Sequence, residues 1–191
     1  MKLAKIAMII LVLSSLAYPQ TKDLGMGAFS NQSGPILMAV DASLVNLDKN
    51  SPYVMFVAFM AAAADQAYAV AAKDVVMVYK GQEYRMPSIE EIRRAYGGQI
   101  RDLDFYRHLG KEGINASWIR YYEFPEKSNF FPPLTSSAPL ASSAGHMASK
   151  LGFMTPLYFK NPGFAKGDKL TIKVRDMKDP SLTGECEVIL N

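Results

Sequence analysis

The chain has 191 residues, with 21 Lys+Arg against 18 Asp+Glu. Setting aside Lys2 and Lys5 near the N-terminus leaves 19 against 18, or +1, so no basic excess argues for a nucleic-acid partner. Charged residues make up 20% of the chain, close enough to the usual share to exclude wholesale disorder, and the single cysteine, Cys186, excludes an internal disulfide.

Lys2 and Lys5 precede an apolar run, Ile6 to Leu16, of signal-peptide length and too short to span a bilayer. Ser15-Leu16-Ala17 places small residues at the −3 and −1 positions of a cleavage site. Residues 1–17 therefore read as a signal peptide, with the periplasm or the cell exterior as destination. No Cys follows the run, so a lipid anchor of that kind is not expected. An exported chain without disulfides has to rest on its hydrophobic core. Residues 18–35, rich in Gly, Ser, Asn and Gln, read as a flexible leader, and residues 36–191 as a single domain.

Within the domain, Ile36 to Val45 is a strand candidate, and Asn46 to Pro52 a turn cluster. Tyr53 to Ala62 is the most apolar stretch and suits a strand buried on both faces. A membrane helix running on to Ala72 would carry Asp65 near its middle, at a cost of about 2.5–3.5 kcal/mol, so the strand is preferred. Tyr68 to Ala72 and Val75 to Tyr79 follow as strand segments, with a bulge or a break at Lys73-Asp74. Lys80-Gly81 turns the chain, because Gly81 tolerates positive φ, into an alternating strand from Gln82 to Met86. Ser88-Ile89-Glu90-Glu91 is a capping box, opening a helix with Ile89, Ile92 and Tyr96 on one side. Asp102 is a second N-cap, so residues 88–110 read as a two-helix insertion.

Ser117 to Phe124 is a strand with aromatic rings on both faces. Residues 125–151 read as a long loop in which Phe130 and Phe131 are anchored and the Ser/Ala run, including His146, lies exposed. Pro156 places Phe153 to Phe159 at a sheet edge, since proline has no N–H for a ladder. Lys169 to Asp176 and Glu185 to Leu190 form a closing hairpin. Seven or eight strands with turn signals between them predict a mainly β fold. The expected form is an antiparallel β-sandwich of immunoglobulin-like architecture, with a β-barrel as the alternative. The Cys…Trp…Cys pattern of true immunoglobulin domains is absent.

No serine lies in a G-x-S-x-G elbow and no glycine-rich phosphate loop is present. The aromatic residues Trp118, Tyr121, Tyr122, Phe130 and Phe131 are the candidate ligand-binding set, with core filling as the competing use. Asp102, Asp104 and His108 are a weaker candidate metal set, because Asp104 and His108 fall one helical turn apart without a third ligand at recognisable spacing. That set would suit a small secreted hydrolase. Asp168, Asp176 and Asp179 could serve calcium at one end of a sandwich, although turn formation explains them better. Cys186 alternates with Val188 and Leu190 and reads as buried. The expectation is a secreted, non-catalytic protein with a binding or structural role and no cofactor. Its partner would be a protein or a carbohydrate at the cell surface, and the mature chain would have no membrane span.

Exported protein should begin at Tyr18, which intact-mass measurement checks; a mature species retaining Lys2 and Lys5 would contradict the export assignment.

Overall fold

Ten residues rich in Val, Phe, Met and Ala form β4 (Tyr53–Ala62), and every position from Val54 to Ala62 is buried, as expected of a strand covered on both faces. The computed structural model describes residues 21–47, 50–63, 65–96, 123–126, 129–131, 141–149 and 151–191. Among these residues the fold is mainly β, with two sheets packed together as a sandwich and two short helices.

The larger sheet runs in the order β1 (Lys22–Gly25), β2 (Ala28–Asn31), β3 (Ile36–Asp41), β4, β10 (Leu151–Lys160), β9 (Ala144–Ala148) and β5 (Ala67–Ala71). Beside β10 lies β8 (Glu123–Glu126), the one parallel pairing among those described. The smaller sheet runs β12 (Thr183–Ile189), β11 (Lys169–Arg175), β6 (Val75–Tyr79) and β7 (Gln82–Arg85). Met38, Phe56, Met60 and Leu157 of the first sheet and Met77, Ile172, Val174, Cys186 and Val188 of the second belong to one buried cluster. The other face of the smaller sheet carries the cross-strand ion pairs Lys169–Glu187, Lys173–Glu185 and Arg175–Glu83. These partly exposed pairs each contribute under about 1 kcal/mol and mark the polar side of that sheet.

The two sheets meet closely where β12 passes β2 and β3. The Asn31 side-chain amide donates to the Glu185 carbonyl at 2.7 Å, and the Glu187 N–H donates to the Thr21 hydroxyl oxygen at 3.0 Å. A Cβ at Gly184 would stand 2.6 Å from the Ile36 carbonyl oxygen, so only glycine permits this approach.

Several expectations need correction. The segment expected to be a flexible leader contains β1 and β2, and β2 is buried throughout. The strand expected over 36–45 stops at Asp41, whose carboxylate accepts the Ser43 N–H at 2.7 Å and opens α1 (Ser43–Leu47). Burial pushes the Asp41 carboxyl up, against hydrogen bonds from the Ser43 hydroxyl and N–H. Of the bulge or break left open at Lys73-Asp74, the structure has the break: Ala67–Ala71 and Val75–Tyr79 are separate strands in different sheets, joined by one 3₁₀ turn at Ala72–Asp74. The loop expected over 125–151 contains β9 and takes in the last two residues of β8, whose first two belong to the strand expected over 117–124. Here small residues are a packing requirement: a Cβ on Gly145 would lie 2.3 Å from the Phe153 ring, which rests on the bare backbone.

Pro156 misplaces β10 only in part. The strand is flanked by β8 and β9 at Leu151 and Phe153, but from Met154 onward it has β4 on one side and no described strand on the other. Pro156, opposite Val57, lies in that one-sided half, where a missing N–H costs no ladder bond on the open flank. The closing hairpin is present as β11–β12.

The helix α2 (Ile89–Tyr96) forms as its capping box predicts. The Glu91 N–H donates to the Ser88 hydroxyl oxygen at 3.1 Å, and the Ser88 N–H donates to the Glu91 carboxylate at 2.6 Å. Arg85, paired with Glu91 at 2.6 Å, and the Ser88 N–H hold the Glu91 carboxyl down to about 2. Ile92 is buried, and the Tyr96 hydroxyl reaches the Tyr53 carbonyl and the Ser51 hydroxyl. The second predicted helix, within 102–110, lies outside the described residues, as do residues 1–17 and most of the strand predicted at 117–124.

Ser88→Ala should lower stability by about 0.5–2 kcal/mol, because the Glu91 N–H loses its acceptor. Denaturant unfolding measures this, and an unmoved midpoint would mean that the cap contributes nothing.

Candidate functional site

Between β11 and β12 the chain reads Asp176-Met177-Lys178-Asp179-Pro180-Ser181, and each aspartate does turn work. Asp179 accepts from the N–H and hydroxyl of Ser181 at 3.0 and 2.6 Å. Asp176 Oδ2 accepts from the N–H groups of Lys178 and Asp179 at 3.0 and 2.9 Å. Its Oδ1 reaches further and accepts the N–H of Ala69 in β5 at 2.8 Å. The Met177 N–H then donates to the Ala69 carbonyl at 2.8 Å. Both backbone groups of Ala69 on the open side of the larger sheet are therefore bonded to the turn of the smaller one.

Asp176 is 4% exposed. Desolvation is the largest single influence on its carboxyl and pushes it up. The N–H groups of Ala69, Asp179 and Lys178, with the Lys178 charge, outweigh it and hold the group below the usual carboxylate range.

These elements enclose a groove of about 450 Å³, within the range of small-molecule sites. Tyr68, Met147, Leu151 and Phe153 give it apolar walls, and His146, Asp176 and Lys178 supply polar groups. Met147 and Phe153 belong to the buried core, while Leu151 is 48% exposed. Met177, between two groove residues, is 46% exposed. Of the three exposed large apolar residues among those described, Leu151 lines this groove. Asp176 spends its lone pairs on backbone N–H groups, so the arrangement suits holding an apolar ligand better than transferring a proton.

The site residues expected from the sequence fare differently. Phe130 and Phe131 are each 3% exposed. Phe130 packs edge-on to Phe153 and Phe131 to Tyr158, with centroids 5.9 and 4.7 Å apart. These rings fill the core and offer no stacking surface. Trp118, Tyr121 and Tyr122 lie outside the described residues, as do Asp102, Asp104 and His108. His146 is exposed, as expected, but on strand β9. Asp168 and Asp176 flank opposite ends of β11, roughly 25 Å apart at strand rise, so they cannot share a calcium ion. Asp168 instead accepts from the Tyr79 hydroxyl at 2.6 Å and the Ala165 N–H at 2.7 Å. Among the described residues no group of three or more His, Cys, Asp or Glu is placed to hold a metal ion. Cys186 is fully buried, and burial pushes its thiol up to about 12, which removes the thiolate needed for reactivity.

No family model matches the chain, and no curated protein or solved structure matches it significantly. No helix among the described residues is long and apolar enough to cross a membrane.

The groove escaped sequence reasoning because its parts come from three separated segments. Turn aspartates, a small-residue strand and an apolar β10 each have ordinary local explanations.

Asp176→Asn should cost about 1–3 kcal/mol at neutral pH, because one carboxylate oxygen becomes an NH2 donor and leaves backbone N–H groups without an acceptor. The native pKa is depressed, so the carboxylate's contribution is present above the unfolded pKa and lost as pH falls through the folded one. The stability gap between wild type and variant should therefore close in acid below the ordinary Asp range, as pH-dependent denaturation would show. A gap that is constant with pH would contradict the charge-based account.

Proposed function

We propose that this is an exported, non-catalytic β-sandwich protein with a binding role, and that the groove between β5, β9, β10 and the 176–178 turn is where it binds. Export is supported by the basic residues, apolar run and Ser15-Leu16-Ala17 pattern of the first 17 residues. The observation that carries the binding reading is the convergence of exposed Leu151 and half-buried Tyr68 with Met147 and Phe153 on one groove of ligand size. An apolar surface of this kind costs solubility and is kept where something covers it. The fitting ligand class is a small apolar or aromatic molecule, or an apolar side chain of a protein partner.

The aromatic dye anilinonaphthalene sulfonate serves as a probe. Native protein should bind it stoichiometrically, and Leu151→Lys should weaken binding at least about tenfold, equivalent to about 1.4 kcal/mol, with the unfolding midpoint unchanged. Absence of binding to native protein, or equal binding by the variant, would overturn the assignment of the groove.

A further inference from the structure

We propose that the groove takes a small apolar molecule bearing one carboxylate, with its body against Tyr68, Met147, Leu151 and Phe153 and its head on the Lys178 ammonium. This rests on the groove being the binding site and adds the chemical class of its ligand. The walls set the body. Half-buried Tyr68 and exposed Leu151 stand beside the buried side chains of Met147 and Phe153. A groove of about 450 Å³ walled in this way suits an aromatic or branched aliphatic body.

The polar groups set the head. Four polar side chains line the groove, those of Tyr68, His146, Asp176 and Lys178. The Asp176 oxygens are taken by the N–H groups of Ala69, Lys178 and Asp179, so the anion of the groove is answered from the protein side. The Lys178 charge acts on Asp176 from beyond ion-pair distance. The side chains of Tyr68, His146 and Lys178 make no hydrogen bond or ion pair to another described residue. Each has a hydrogen to donate: the Tyr68 hydroxyl, one ring N–H of His146 in either neutral tautomer, and the ammonium of exposed Lys178. Donors with one positive charge among them match a head that only accepts and carries the opposite charge, which a carboxylate does. A cationic head would meet Lys178 and find the Asp176 oxygens already occupied.

Calorimetric titration of the whole protein with naphthoate and with naphthylmethanol, which share the ring and differ in the head, tests this. Wild type should bind naphthoate about fivefold more tightly, the scale of one partly exposed ion pair, and added salt should shrink that preference. Lys178→Gln should bring the two affinities together, and Lys178→Arg, which keeps the charge, should keep them apart. Equal affinities in the wild type, or a preference that survives in Lys178→Gln, would overturn the carboxylate proposal and leave the groove as the binding site. Binding of neither compound would overturn both.

Discussion

The buried carboxylate of Asp176 ties the two sheets together at one side of the sandwich. It accepts one N–H from the edge of the larger sheet and two from the turn that joins the last strands of the smaller one. A carboxylate this buried is tolerated only when donors surround it, and hydrogen bonds to a charged group contribute about 1.5–3 kcal/mol. The tie therefore fixes a single position for β5 relative to the β11–β12 turn. With one cysteine and no disulfide, the chain depends on such contacts and on its core to hold the sheets in register. The opposite side uses weaker, neutral links from Asn31 and Thr21 to β12.

How much of this was legible in the sequence depended on how far apart the partners were. The capping box of Ser88 and Glu91 was readable because both partners lie within one turn. The double burial of β4 was readable from its composition alone. The β1–β2 hairpin was not, because polar Thr21 and Asn31 earn their places by bonding residues 166 and 154 positions away. Asp176 was half legible: its turn bonds are local, but its bond to Ala69 spans 107 residues. Pro156 misled because edge character changes along a single strand. The run around Gly145 looked like loop because nothing local reveals that the Phe153 ring must rest on it.

The same tie shapes the groove. Asp176 and Lys178 form one wall because the turn is drawn against β5, and Leu151 and Tyr68 are left partly exposed beside it. The aromatic pair Phe130–Phe131 was a reasonable candidate for a binding surface. Its two rings pack against Phe153 and Tyr158, the use that large aromatic side chains find most often. The groove thus lies where the sheets are joined, away from the residues with the strongest aromatic signal among those described.

Native-state amide hydrogen exchange of the unmodified protein tests the central claim most directly. If Asp176 ties the sheets, the Ala69 amide should be protected to the level of β4 amides such as Phe56 and Ala58. The Lys178 and Asp179 amides should be protected as well, although their turn faces solvent. Exchange of Ala69 at the rate of an open strand edge, with β4 still protected, would show that the carboxylate does not hold the sheets together.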